Sequence, residues 1–149
     1  MIYTGQTYRE GNKPSRHYDE MWSIMRSPTK GLKNPTIHHP ELAPSKILFE
    51  RFLQLKEVGD WCPRAFKEIY VPEYIRQVAN DEKARATLNY LWQMNKEGQK
   101  DIILLCSCVD EETCHRSIVK GLLDLSGEYF QMYKEKYAEY REKQRRATA

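Results

Sequence analysis

The chain has 149 residues, of which 40% are hydrophobic and 30% are charged, and its formal net charge is +3. This composition is typical of a single globular domain, and no apolar run approaches the roughly 20 residues needed to span a bilayer. Since the N-terminal segment lacks the apolar stretch of a secretory signal, we expect a cytoplasmic protein with no membrane partner, whose four cysteines stay reduced.

Two short apolar segments begin the predicted sheet. Residues 2–4 favour a β-strand and precede several turn-forming residues, which predicts an edge strand that leads into a loop. Residues 21–25 predict a second strand. The segment from there to Pro44 contains glycine and proline and shows no periodicity, so it predicts a long connection of the kind that is often functional.

Three amphipathic helices are predicted in the next part of the chain. Ser45 is a predicted N-cap, and apolar residues then recur at helical spacing as far as Gly59. Pro63 suits the first turn of a second helix, in which Pro72 predicts a kink or a restart because proline lacks the helical N–H donor. A third helix is predicted from the N-cap Asp81 to a terminating glycine at position 98.

Residues 101–106 form the clearest strand, a continuous apolar run that predicts a central position in the sheet. After a loop over residues 107–112, a helix is predicted to begin near Thr113. We therefore expect one α/β domain over residues 1–126, with a small parallel or mixed sheet, flanking helices and a Rossmann-like three-layer arrangement. The buried face of the last of these helices is predicted to carry Cys114, Ile118, Leu122 and Leu125.

Residues 127–149 predict a separate amphipathic helix and a basic tail. Between residues 134 and 146 the chain has six cations and only three glutamates. We expect the helix to pack on the domain body, on a protein partner or on a second copy of the chain. Its predicted stripe is Tyr129, Tyr133, Tyr137 and Tyr140.

The segment from Leu105 to Ser117 contains the candidate chemistry. In parallel sheets, ligands bind beyond the carboxyl ends of the strands, where helix N-termini present free N–H groups and a positive dipole. The predicted first helical turn places the Cys114 thiol in that field, with Arg116 close by. We therefore predict Cys114 and His115 as catalytic residues, and Arg116 and Ser117 as ligands of an anionic group such as phosphate.

Other interpretations of this segment stay open at the sequence level. A thiol of Cys108 or Cys114 can act as a nucleophile with His115 as its base, or the cysteines can simply fill the core beside an anion site. The segment can also be purely structural, with buried cysteines and with His115 and Arg116 bonded to local carbonyl groups. A bound metal is the remaining alternative, and zinc is the cofactor that the donor types favour, although the usual C-x₂-C spacing is absent. Its ligands would be Cys106, Cys108, Cys114 and His115.

Two motifs resemble those of a known family. Leu104-Leu105-Cys106, followed by Cys114-His115-Arg116-Ser117, resembles the C-terminal signature of the domain of unknown function 488 family. His39-Pro40-Glu41-Leu42-Ala43-Pro44-Ser45 is similar to its "PELAPS" region, and the resemblance covers roughly residues 1–125. It implies a compact α/β domain without an established reaction. It also implies that ligand-binding residues gather at one sheet edge beside the Cys-His-Arg-Ser motif, namely Tyr3, Arg26, Glu41, Ser45 and Cys106.

Two functions follow as hypotheses. The first is an enzyme, or a degraded enzyme, that binds a phosphorylated ligand such as a nucleotide or a nucleic-acid end. The second is a non-catalytic accessory factor that binds nucleic acid or protein, and the occurrence of the resembled family in phages makes a phage protein acting on a host protein one such case. Basic residues interleaved with aromatic ones suggest the nucleic-acid contacts. These candidates are Arg9, Lys13, Arg16 and Lys30.

Overall fold

The computed structural model describes residues 1–14 and 17–148. In this part of the chain four parallel strands form one sheet, in the order β1-β4-β2-β3. The first strand lies at an edge and the strand ending at Cys106 is central and fully buried, as the sequence predicted. The strands are β1 (Ile2–Gln6), β2 (Glu20–Ser23), β3 (Ile37–His38) and β4 (Ile102–Cys106).

Helices make up most of the remaining described structure, and the α/β class is confirmed. The long connection before Pro44 is not structureless, because it contains β3 and a 3-10 turn at Pro40–Leu42. A short helix directly after β1 was also not predicted. The α-helices are α1 (Thr7–Gly11), α2 (Lys46–Glu57), α3 (Pro63–Ala65), α4 (Val71–Ala79), α5 (Glu82–Glu97), α6 (His115–Leu122) and α7 (Glu128–Thr148).

The predicted helix boundaries have the expected local causes. The Ser45 hydroxyl accepts a hydrogen bond from the Leu48 N–H, and the Asp81 carboxylate accepts one from the Ala84 N–H. Gly98 ends α5 in the left-handed conformation, with a φ of 65°. Side-chain caps and a C-terminal glycine therefore fix α2 and α5 as the sequence indicated.

Pro72 is accommodated by a π-helical turn, Phe66–Tyr70, that joins α3 to α4. The Val71 N–H bonds to the Phe66 carbonyl, five residues back rather than four. Because proline has no N–H and crowds the preceding turn, the wider turn removes the conflict. The predicted restart is therefore the start of α4 at Val71, which follows the π-helical turn directly.

The main core lies on one face of the sheet, where α4, α5, α6 and α7 pack. The opposite face has a small cluster of Met21, Ile103 and Leu105 with Tyr18 against it, and the Glu10 side chain of α1 closes over Gly5 there. The layer that covers the first face of the sheet is therefore much larger than the layer on the opposite face.

Two boundaries at the end of the domain also follow from the packing. Helix α6 ends at Leu122, and the prediction that Leu125 would be buried is wrong, because it lies in the following turn with 56% of its surface exposed. Helix α7 packs along α4 and α6, where Tyr133 is buried and Tyr137 contacts the Arg85 guanidinium. No helix in the described residues is both long and apolar enough to cross a membrane.

Candidate functional site

A cavity of about 330 Å³ lies beyond the carboxyl ends of β2 and β4. Its volume falls at the lower end of the range for small-molecule sites. Part of its wall is aromatic, and the wall also contains three cysteines and a histidine from the predicted segment. Its lining residues are Met25, Arg26, Ser27, Pro44, Phe49, Phe52, Tyr70, Cys106, Ser107, Cys108, Thr113, Cys114 and His115.

The end of β4 and the start of α6 bring the sulfur and imidazole groups together. The Sγ of Cys106 lies 3.7 Å from the Sγ of Cys108 and 3.9 Å from Nδ1 of His115. The Sγ of Cys114 lies 3.7 Å from the same imidazole nitrogen. All four cysteines of the chain are free thiols, and the fourth, Cys62, is exposed at the start of α3.

A hydrogen bond to the backbone fixes the orientation of the His115 ring. Its Nε2 lies 2.7 Å from the carbonyl oxygen of Ile24, so Nε2 carries the proton and donates it to that oxygen. Burial lowers the pKa of this imidazole, which keeps it neutral and leaves the Nδ1 lone pair directed at the thiols. A histidine that binds a metal through one ring nitrogen usually donates the N–H of its other ring nitrogen to a carbonyl or carboxylate, and His115 makes such a bond.

The three thiols differ in acidity because they donate hydrogen bonds to one another. The S–H group of Cys106 donates to the Cys108 sulfur, and this bond, the neighbouring Cys114 thiol and the Arg116 charge lower the pKa of Cys108. The neighbouring thiols of Cys106 and Cys108, together with burial, raise the pKa of Cys114 well above its usual range. These effects favour the thiolate at Cys108, which is the least buried of the three cysteines.

The cluster can hold a metal ion. The ligand atoms of Cys106, Cys114 and His115 all lie within 4.8 Å of one another, and all three residues are buried. A tetrahedral zinc with bonds of about 2.3 Å to sulfur and about 2.0 Å to nitrogen separates its ligand atoms by roughly 3.5–3.8 Å. The observed sulfur-to-nitrogen separations of 3.7 and 3.9 Å are close to that requirement.

The side chains of Arg116 and Ser117 donate hydrogen bonds to backbone carbonyl groups. Only 3% of the Arg116 surface is exposed, and its Nη1 donates to the carbonyl oxygens of Gly5 at 2.6 Å and Cys106 at 3.2 Å. The Ser117 hydroxyl donates to the Cys114 carbonyl at 2.7 Å. These contacts tie α6 to the ends of β1 and β4 and thereby position the cluster.

Two of the other ligand candidates lie away from the cavity lining. Tyr3 sits in the middle of β1, where its ring packs against Tyr18 at 5.4 Å between centroids. The hydroxyl of Ser45 caps α2. In contrast, Arg26 is exposed at the cavity mouth and makes no hydrogen bond or ion pair with any described residue.

The side chain of Glu41 is nearly covered, with 4% of its surface exposed, and it does not cap α2. Its Oε1 accepts hydrogen bonds from His39 at 2.7 Å and from Thr87 at 2.9 Å. Burial alone would raise the pKa of this carboxyl, but these donors and a backbone N–H outweigh it and lower the pKa below its ordinary value. The residue thus attaches the Pro40–Leu42 turn to α5.

The three described nucleic-acid candidates lie on segments that follow the carboxyl ends of β1 and β2. Arg9 is exposed on α1, and the Lys13 ammonium pairs with the Glu10 carboxylate at 2.8 Å. Lys30 lines a depression next to the main cavity. Arg16 lies outside the described residues.

The aromatic wall of the cavity was not predicted. Phe49 and Phe52 extend from α2, and Tyr70 extends from the π-helical turn. In the sequence these residues fall on apolar helix faces and are indistinguishable from core residues. The signal that could have identified them is the position of their helix, which directly follows the family-like segment ending at Ser45.

Comparison with known proteins identifies one matching family model. It is described as "DUF488-N3a: Active DUF488-N3 subclade", and it matches residues 6–127, well over half of the chain. No curated protein and no solved structure matches the chain.

Proposed function

The chain belongs to the DUF488-N3 family, and we propose that it is a zinc-dependent enzyme of that family. The observation that carries the proposal is the convergence of two thiols and an oriented imidazole in the wall of a ligand-sized cavity. The matching model's description as an active subclade agrees with a chemical role. The zinc ligands are Cys106, Cys114 and His115.

The donor set favours a catalytic zinc over a structural one. Structural zinc sites use four protein ligands and are closed, whereas catalytic sites use three and leave one position for water or substrate. Here three donors form the tight cluster, and all three also line the cavity. A zinc ion held by these residues would polarise an oxygen of the substrate or lower the pKa of a bound water.

The cavity favours an anionic substrate that has a flat or apolar part. Phe49, Phe52 and Tyr70 provide stacking surface, and Arg26 provides an unpaired guanidinium at the mouth. A phosphorylated ligand such as a nucleotide has both features. In this proposal Arg26 binds the anionic group, and Arg116 acts as a positioning residue because two backbone carbonyls occupy its Nη1.

A cobalt titration tests the metal ligands. Co²⁺ added to chelator-treated, reduced protein should produce thiolate-to-metal absorption at one equivalent, and the Cys106→Ser and Cys114→Ser variants should each weaken it. Cys62→Ser is the matched control, because that thiol is exposed on α3 and outside the cavity lining. Equal spectra for all of these proteins would overturn the zinc assignment.

A closed structural zinc site is the second candidate, and one observation favours it. The Cys108 sulfur lies 3.7 Å from that of Cys106, close to the sulfur-to-sulfur distance across a zinc tetrahedron. If Cys108 is a fourth ligand, Cys108→Ser should weaken metal binding as strongly as Cys114→Ser does. The catalytic proposal expects Cys108→Ser to keep the metal and to change only ligand binding or turnover.

A further inference from the structure

Two additional depressions share lining residues with the cavity of about 330 Å³ that contains the three cysteines, here called the thiol cavity. One shares Met25, Ser27 and Ser107 with the cavity and continues to Lys30 and Tyr8. The other shares Arg26 and Pro44 with it and continues along the 3-10 turn to α4 and α5. The cavity is therefore the deepened middle of a longer groove along the carboxyl edge of the sheet.

The thiol cavity and the depression that reaches Lys30 contain cations and no acids. Arg26 and Lys30 are exposed and have no hydrogen-bond or ion-pair partner among the described residues. The two acids of the groove, Glu41 and Asp81, line only the depression beside α4 and α5, where both keep their charge. The groove therefore attracts anions over the thiol cavity and towards Lys30, and not along the depression that the acids line.

Flat apolar surface lies at the centre of the groove. Phe49 is 40% exposed and lines the cavity together with the more buried Phe52 and Tyr70. Tyr8 is 53% exposed in the neighbouring depression. Aromatic faces set between cations along an open groove are the features with which proteins hold single strands, stacking bases and contacting phosphates.

We propose that the substrate is single-stranded nucleic acid, with one nucleotide inserted in the thiol cavity and the flanking phosphates held by Arg26 and Lys30. This inference rests on the proposed function, since it assigns the substrate of the same site. A duplex presents its bases stacked and paired, so a base reaches the cavity wall only after it has left the stack. The groove therefore selects unpaired strands.

Fluorescence anisotropy with labelled twelve-nucleotide strands of DNA and of RNA tests the inference, with the matching duplex and a nucleoside monophosphate as competitors. The single strands should bind more tightly than either competitor, and the ratio of DNA to RNA affinity identifies the sugar preferred. Arg26→Gln and Lys30→Gln should each weaken binding about eightfold near 50 mM salt, because each phosphate contact contributes roughly 0.7 to the salt exponent. Lys96→Gln is the matched control, since that lysine is exposed near the end of α5 that precedes the start of β4, at the opposite edge of the sheet.

The aromatic contact has its own pair of variants on α2. Phe49→Ala should weaken strand binding about fivefold or more through lost stacking. Leu53 is an apolar residue of the same helix that is 47% exposed and lies outside the cavity lining, so Leu53→Ala should leave strand binding unchanged. The same proteins are titrated with Co²⁺, and all should bind the metal as the unmodified protein does.

Three results would overturn this inference. They are tighter binding of the duplex, binding of the monophosphate as tight as that of the strand, and equal losses for Lys96→Gln and Arg26→Gln. Normal Co²⁺ spectra in those cases would leave the zinc proposal standing. Strand binding that meets every expectation, in protein that shows no thiolate-to-cobalt absorption, would instead contradict the proposed zinc enzyme and keep the nucleic-acid site.

Discussion

Replacement of Arg116 by methionine separates a positioning role from direct ligand binding. The side chain is almost fully buried and donates to the carbonyls at the ends of β1 and β4. A hydrogen bond from a charged donor contributes about 1.5 kcal/mol or more, so the loss of two should lower the free energy of unfolding by about 3 kcal/mol. For a chain of this size, that corresponds to a fall in Tm of about 6–12 °C.

Urea denaturation of chelator-treated protein measures this effect without a contribution from bound metal. The midpoint should fall and the slope should stay constant, because the same surface is exposed on unfolding. Arg64→Met is the control, since that arginine makes only an exposed ion pair with Glu68 and should change stability by less than about 0.5 kcal/mol. An Arg116→Met protein as stable as the unmodified chain would refute the positioning role and return Arg116 to the set of direct ligands.

Three further predictions concern the frame of the site. Tyr74→Phe should cost about 1–2 kcal/mol in urea denaturation, since its buried hydroxyl donates to the Leu42 carbonyl at 2.6 Å; no loss would show that water replaces the bond. Glu41→Gln should make the free energy of unfolding depend less steeply on pH in the acid range. Because the folded pKa of this carboxyl is lowered, its contribution to stability is full above the unfolded pKa of about 4.3 and disappears as pH falls through the folded value. An unchanged pH dependence in the variant would contradict this. Gly121→Ala should destabilise by about 1–3 kcal/mol, because its Cβ would meet the Tyr129 ring, and should become neutral or stabilising in a Tyr129→Ala background.

Much of the fold follows from local signals in the sequence. The continuous apolar run before Cys106 indicates a strand covered on both faces, and Ser45, Asp81 and Gly98 mark helix ends through caps and a left-handed glycine. The two-residue strand β3 carries no such signal, because its formation depends on pairing with β2. The sequence therefore did not predict β3, whose structure depends on a partner strand.

The sequence likewise predicted the location of the candidate site but not the roles of its residues. The Cys106 and Cys114–Ser117 segment could be located from the sequence, since strand ends and helix starts fix where a ligand binds. The roles within it could not, because the direction of the Arg116 side chain and the hydrogen bonds among the thiols are set by tertiary packing. The lowered pKa of Cys108 is one consequence of that packing.

X-ray absorption at the zinc edge tests the central claim most directly. The purified, reduced protein loaded with one equivalent of zinc should show sulfur ligands at about 2.3 Å and a nitrogen ligand at about 2.0 Å. The sulfur contribution should disappear in a Cys106→Ser, Cys114→Ser double variant and persist in Cys62→Ser. A zinc environment of oxygen and nitrogen alone in the unmodified protein would contradict a metal held by Cys106, Cys114 and His115.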